Sequence, residues 1–230
     1  TKLSANRFFY GQVAFSNFRN KLVSNRRIIP GTTAIETTFL NTDGYYDVRS
    51  YYMYSTLLGA EMLQLNLNGT GDFIHNVSYT NDQRHESRHL LYSQTAQLRY
   101  SLEDVIDLEL NGNYTLNRSR SSLGATGDIR ANSMLVGMAC KGYLSDYLAF
   151  GFDLSHRSHM GYSSYVNSNP TLLNAYLEYT FMSNRMAMLR LHGFDVFNQN
   201  TGITKEVYDN IDLSVRNNRL GRYFMLSLNV

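Results

Sequence analysis

Between Val105 and Arg118 the sequence VIDLELNGNYTLNR alternates almost without error. Ile106, Leu108, Leu110, Gly112, Tyr114 and Leu116 share one parity; Asp107, Glu109, Asn111, Asn113, Thr115 and Asn117 share the other. Side chains along a strand point to opposite faces with period two, so this segment is a strand with one apolar face and one polar face. A helix would scatter both sets around its axis. The run is also long. About ten alternating residues is what a tilted strand needs to cross the hydrocarbon of a bilayer, whereas soluble strands are usually nearer five or six.

The same pattern recurs along the chain. Arg7–Phe18 reads as a first strand, with Phe9, Val13 and Phe15 on one face. Ile35 to Thr56 reads as one long strand, Met62–Ser78 and His89–Ser101 as two more, and Asn132–Leu144, Tyr147–Ser155 and Leu173–Phe181 as three further ones. Ala187–Asn198 begins as a strand whose alternation falters near Gly193, which suggests a bulge, and Gly221–Val230 closes the series. Short turns are expected at Leu57–Glu61, Leu102–Asp104, Ser145-Asp146 and Ser183-Asn184-Arg185. Long polar loops are expected at Asn20–Thr33, Tyr79–Ser87, Ser119–Arg130, His156–Pro170 and Gln199–Asn218.

About ten strands joined alternately by short turns and long loops describe an all-β, antiparallel up-and-down transmembrane β-barrel. The apolar face would meet lipid and the polar face a wet lumen. The alternative is a soluble sandwich or barrel with the faces reversed, because alternation alone does not decide which face is out. Composition agrees with long uninterrupted strands: two prolines in 230 residues, and a mean hydropathy of −0.33 despite 43% hydrophobic residues. No run of eighteen apolar residues predicts a transmembrane helix. A formal charge of +2 gives no reason to expect nucleic acid as a partner, and one cysteine, Cys140, excludes an internal disulfide. Both ends read as cut, so the chain is expected to be a piece of something longer.

Three segments carry a resemblance. Asn41-Thr42-Asp43-Gly44-Tyr45 resembles the Asn-x-x-Gly-Tyr start of a descending strand in a known family. Phe194-Asp195-Val196-Phe197-Asn198-Gln199-Asn200 is similar to its Asp-x-x-Asn-Gln-Asn segment, and Arg219–Ser227 to its closing strand. The family is the outer-membrane-protein β-barrel group of TonB-dependent receptors from Bacteroidetes-type bacteria. Their order and spacing match its C-terminal region over roughly residues 7–230. The resemblance implies a barrel of twenty-two strands around an N-terminal plug. Residues 1–230 would be the C-terminal portion of that barrel, without the plug domain and the N-terminal strands.

It implies location in the bacterial outer membrane and active uptake of a nutrient or chelate. The implied partners are outer-membrane lipid, the protein's own plug and missing strands, TonB acting through the plug, and, as an option, a surface lipoprotein lid. The barrel itself is expected to hold no catalyst, no cofactor and no metal. A self-contained porin-like or adhesin-type barrel is the alternative, and an omptin-like protease, recruiting Asp82, His85, Asp153 and His156, is a third reading.

Candidate site residues follow from parity. Asp72, Arg99, Asp107, Glu109, Lys141, Asp153, Glu178 and Arg190 fall on the polar face and should point into a lumen, where they pair with one another or contact a plug or a passing solute. His75, His85, His89, His156 and His159 fall near the long-loop rim, with His192 well inside a strand, and their spacing matches no structural zinc pattern.

Overall fold

The computed structural model describes residues 2–4, 6–59, 62–122, 128–162, 169–181, 186–208 and 211–230. In chain order the strands are β1 (Lys2–Ser4), β2 (Arg7–Phe18), β3 (Lys21–Ile28), β4 (Ile35–Thr42), β5 (Tyr45–Leu58), β6 (Leu63–Thr80), β7 (Gln83–Leu102) and β8 (Ile106–Ser121). They continue as β9 (Ile129–Ser145), β10 (Leu148–Met160), β11 (Thr171–Phe181), β12 (Ala187–Phe194), β13 (Ile203–Tyr208), β14 (Ile211–Arg216) and β15 (Tyr223–Asn229). The main path through the sheet is β1-β2-β5-β6-β7-β8-β9-β10-β11-β12-β15, and every pairing along it is antiparallel. Apart from the short β1, the path holds the ten strands expected from alternation. The fold is an all-β, up-and-down, barrel-like sheet. It is not a closed ring: β15 pairs with β12, β2 pairs with β1 and β5, and the first and last long strands do not meet.

Register carries the alternation of single strands across the sheet. Thr56, Leu65, Leu98, Leu110, Met138, Leu154 and Leu173 form one cross-strand row on the apolar face. Ser55, Asn66, Gln97, Asn111, Gly137, Ser155 and Leu172 form the neighbouring row on the polar face. The polar face holds several buried residues, although Arg99 and Asp153 on it are exposed. Asn117, Ser119, Ala131, Ala149 and Glu178 are buried there. Most of the apolar face is open, with Val13 73%, Leu90 38%, Leu110 40%, Val136 46% and Leu226 65% exposed, although Thr56, His75 and Val77 on the same face are buried.

This inverts a soluble core. Among the described residues the buried hydrophobic side chains are only Val23, Val77, Ala131, Ala149 and Ala187. Each large apolar side chain left in water forgoes about 1.5–3 kcal/mol. Apolar patches on soluble monomers rarely exceed a few hundred Å², yet here the open apolar rows run from β2 to β15.

Several loops expected from composition are strands. Asn20–Thr33 is not a loop: it holds β3, which forms a hairpin with β4 and pairs in parallel with the upper end of β6, Asn25 beside Tyr79 and Arg26 beside Thr80. Polar composition misleads there because a hairpin projecting above the sheet has little apolar surface to cover. The long strand expected from Ile35 to Thr56 breaks in two at Gly44, whose φ of 102° lies in the left-handed region that glycine tolerates.

Tyr79–Ser87 is likewise no loop. β6 and β7 run on to a two-residue turn at Asn81-Asp82, where φ is 50° and 62°. Two positive φ values match the right-handed twist of the flanking strands, and Asn and Asp tolerate them best after glycine. The turn is bolted to the β3 hairpin. Asn25 Nδ2 donates to Asp82 Oδ1 at 2.7 Å, Ile28 N to Asn81 Oδ1 at 3.1 Å, and Asn81 N to Arg26 O at 2.8 Å.

The loops expected at Ser119–Arg130 and His156–Pro170 are shortened by strand extension, β8 reaching Ser121 and β10 reaching Met160. Gln199–Asn218 contains the β13–β14 hairpin. The register between β12 and β15 runs unbroken through Gly193, so no bulge lies there; irregularities fall instead between β9 and β10 at Leu148/Ala149, beside a short turn, and between β1 and β2 at Lys2/Ser4. The turn expected at Ser183-Asn184-Arg185 lies outside the described residues.

Candidate functional site

All eight polar-face candidates share one face of the sheet, because each sits at the expected parity in its ladder. Register sets Arg99 opposite Glu109, Asp107 opposite Lys141, and Glu178 opposite Arg190. Asp153 faces Ala139 on one side and Asn174 on the other, so its two neighbouring strands place no cation directly opposite it. Arg99, Asp107, Glu109, Lys141 and Asp153 line one concavity of about 410 Å³ together with Tyr176. Glu178 and Arg190 form an ion pair beside it, and the guanidinium lies 4.4 Å from the Tyr176 ring centroid. Asp72 lies apart, opposite Arg49 on β5.

An aromatic run closes one side of the concavity. Tyr176 meets His192 edge-on at 5.8 Å, His192 stacks on Phe194 at 3.7 Å, and Phe194 stacks on Tyr223 at 4.5 Å. Tyr176 occupies the space over Gly151, where a Cβ would collide with its ring. Asn174, Tyr176 and Phe194 were not among the sequence candidates, and His192 was weighed only as a metal ligand. Parity alone would have found them, since Asn174 and Tyr176 alternate in step with Glu178. The arrangement offers both signs of charge, amide and hydroxyl groups, and aromatic edges on a wide open wall. Such a surface suits many weak contacts to a polar solute or a polypeptide.

The histidines are dispersed. His75 is buried, stacked on Tyr46 at 4.9 Å, with Nδ1 2.8 Å from Gly44 O and Nε2 3.5 Å from Glu86. Among the described residues no group of three or more His, Cys, Asp or Glu side chains is placed to hold a metal ion. At the start of β5, Lys21 lies over the Tyr45 ring, and burial holds the Lys21 ammonium below its usual pKa against the opposing pull of Asp47. Burial, and then the Asp47 carboxylate, raise the Tyr45 phenol.

The segment Phe194–Asn200 ends β12 and ties three strands together. Asp195, 6% exposed, adopts φ 46° and accepts the backbone N–H groups of Gln199 and Asn200, each at 3.0 Å. Its own N–H donates to Asn174 Oδ1 at 3.0 Å. Asn198 Oδ1 accepts from Arg222 N at 3.1 Å, Gln199 Oε1 from Thr171 N at 2.9 Å, and Asn200 Oδ1 from Gly202 N at 3.2 Å. Each polar side chain of this Asp-x-x-Asn-Gln-Asn segment therefore satisfies backbone donors that the sheet leaves unpaired at its rim. Asn41–Tyr45 has a comparable local role: Asp43 Oδ1 accepts from Asn20 N at 2.7 Å across the root of the β3–β4 hairpin.

Fold and site together define an all-β, barrel-like sheet with an open apolar face and a polar wall that carries charges of both signs. No known protein family, curated protein or solved structure matches the chain. The resemblance to TonB-dependent receptors thus stands on the three segments themselves.

Proposed function

We propose that this chain is part of the wall of an outer-membrane uptake barrel, of the TonB-dependent receptor kind, and that the polar face borders the path of a nutrient or chelate. The observation that carries the reading is the open apolar face of the central strands, where Leu90, Tyr92, Leu110, Tyr114, Met134 and Val136 remain exposed. Lipid against the apolar rows accounts for it at no cost in exposed hydrophobic area. The dimensions agree. From Ile106 to Leu116 the apolar row of β8 spans ten residue steps, roughly 34 Å along the strand at about 3.4 Å each. At a tilt near 45° that is a band roughly 25 Å tall, the height of the outward apolar band of such barrels.

The two unpaired edges support the receptor reading over a self-contained ten-stranded barrel. An open sheet cannot stand in hydrocarbon, because its edge strands would leave backbone groups unsatisfied. Further strands would therefore pair with β15 and with β1–β2. In a barrel enlarged by those strands a plug domain would occupy the lumen, and TonB would act through it; the barrel wall would supply contacts and no chemistry.

Topology tests the reading in the whole protein in intact cells. With Cys140 replaced, Asp82→Cys and Thr204→Cys should react with a membrane-impermeant maleimide, whereas Gly59→Cys and Asp146→Cys should react only after lysis. Labelling of all four in intact cells would remove the membrane reading; the reverse pattern would invert its orientation.

A further inference from the structure

The open face changes character abruptly at the long-loop end. Phe73, Leu90 and Arg118 lie in one cross-strand row, with Arg130 opposite Arg118; two residue steps above, Arg88 lies opposite Arg120. All share the parity of the apolar rows, so four guanidinium groups stand on the outer face directly above the apolar band. Directly opposed side chains have Cβ atoms about 4.5–5.5 Å apart, and like charges so placed destabilise a sheet. Two such pairs sit side by side here.

The counter-charge is slight. Asp128 lies 3.7 Å from Arg120 and 4.0 Å from Arg130, and Arg118 donates to Asn132 Oδ1 at 3.1 Å. Glu86, in the next row up, is engaged by Arg84 at 3.1 Å and by His75. The Arg120 and Arg130 side chains remain 79% and 74% exposed. The four arginines, with Asp128 and with Phe73 and Leu90 of the Arg118 row, line a concavity of about 360 Å³.

We infer that this patch is a binding site for the phosphate of an anionic lipid in the leaflet on the long-loop side. This rests on the membrane reading above. Arginine matches phosphate because its planar fork donates two parallel hydrogen bonds to two oxygens, and those bonds are charge-assisted on both sides. A phosphate would relieve the repulsion within each opposed pair. The arrangement also distinguishes a lipid from free phosphate. Tyr92 and Leu116, in the next row toward the apolar band, lie on the membrane side of the guanidinium groups, where the acyl chains of a bound lipid would run. Arg118 stands twelve residue steps above Ile106, roughly 29 Å in height at the same pitch and tilt, which is the level of headgroups rather than of hydrocarbon.

The test uses the whole purified protein. Flotation with phosphatidylcholine vesicles first establishes membrane association; failure to float overturns the membrane reading and this site with it. Native mass spectrometry in neutral detergent then measures retention of phosphatidylglycerol against phosphatidylcholine. The expected result is preferential retention of phosphatidylglycerol, weakened about tenfold for each arginine removed. Arg120→Gln alone, at a highly exposed position, keeps the test valid if Arg118→Gln/Arg120→Gln does not fold. Arg120→Lys should recover only part of the loss, and Arg26→Gln/Arg27→Gln on the β3 hairpin should change nothing. A floating protein with no lipid preference, or equal loss from the hairpin variant, overturns the site while leaving the membrane reading intact. Displacement of the lipid by inorganic phosphate at equal concentration also overturns it, because the ligand would then be the free anion.

Discussion

Leu110→Arg separates the two faces of this sheet most sharply. Leu110 lies between Leu98 and Met138 on the open face and is 40% exposed. It stands four residue steps above Ile106, roughly 14 Å along the strand and about 10 Å in height at a tilt near 45°. In a band roughly 25 Å tall that places it within a few Å of the midplane, where an arginine on the lipid face costs about 2–4 kcal/mol. Asn111, the next residue, points the other way, between Gln97 and Gly137. Gly137 contributes no side chain, so Asn111→Arg finds space and water, and should cost about 0.5 kcal/mol or less. Urea titrations of the whole protein refolded into lipid vesicles measure both. Equal penalties, or a larger penalty at Asn111, would refute the assignment of faces, since the two positions differ in little except the side of the sheet they occupy.

Asp195→Ala should destabilise the whole protein by about 3 kcal/mol, because it strips acceptors from two backbone donors and leaves alanine at a positive φ. Asp195→Asn, which keeps one acceptor and tolerates that φ, should cost about half as much; the same urea titration measures both, and equal costs would argue against the carboxylate as the tie. Asn25→Ala, at a position 2% exposed, should release the β3–β4 hairpin from the Asn81-Asp82 turn. Hydrogen exchange should then quicken by about tenfold or more in β3 and β4 while β7 and β8 keep their protection.

The number of long strands, their parity and the membership of each face were legible residue by residue. Period two is a property of the extended backbone itself, so Leu108 and Glu109 must part company whatever surrounds them. The same local rule placed all eight charged candidates on one face before any partner was known. Composition failed where polarity had a tertiary cause. Asn20–Thr33 and Tyr79–Ser87 are polar because they lie beyond the apolar rows, and they are strands because each finds a partner.

That partnership was invisible in the sequence. Asn25 and Asp82 are 57 residues apart, and nothing local announces their hydrogen bonds. Which residues become buried, and which charges become neighbours, were likewise decided only by the tertiary structure. A strand has two faces but no inside; burial arises from the curvature of many paired strands. Register across those strands brought Asp107 to Lys141 and Glu178 to Arg190, and set Arg88 against Arg120. The open edges at β1–β2 and β15 belong to the same level, because an unpaired ladder is defined only once every other strand has found its neighbour.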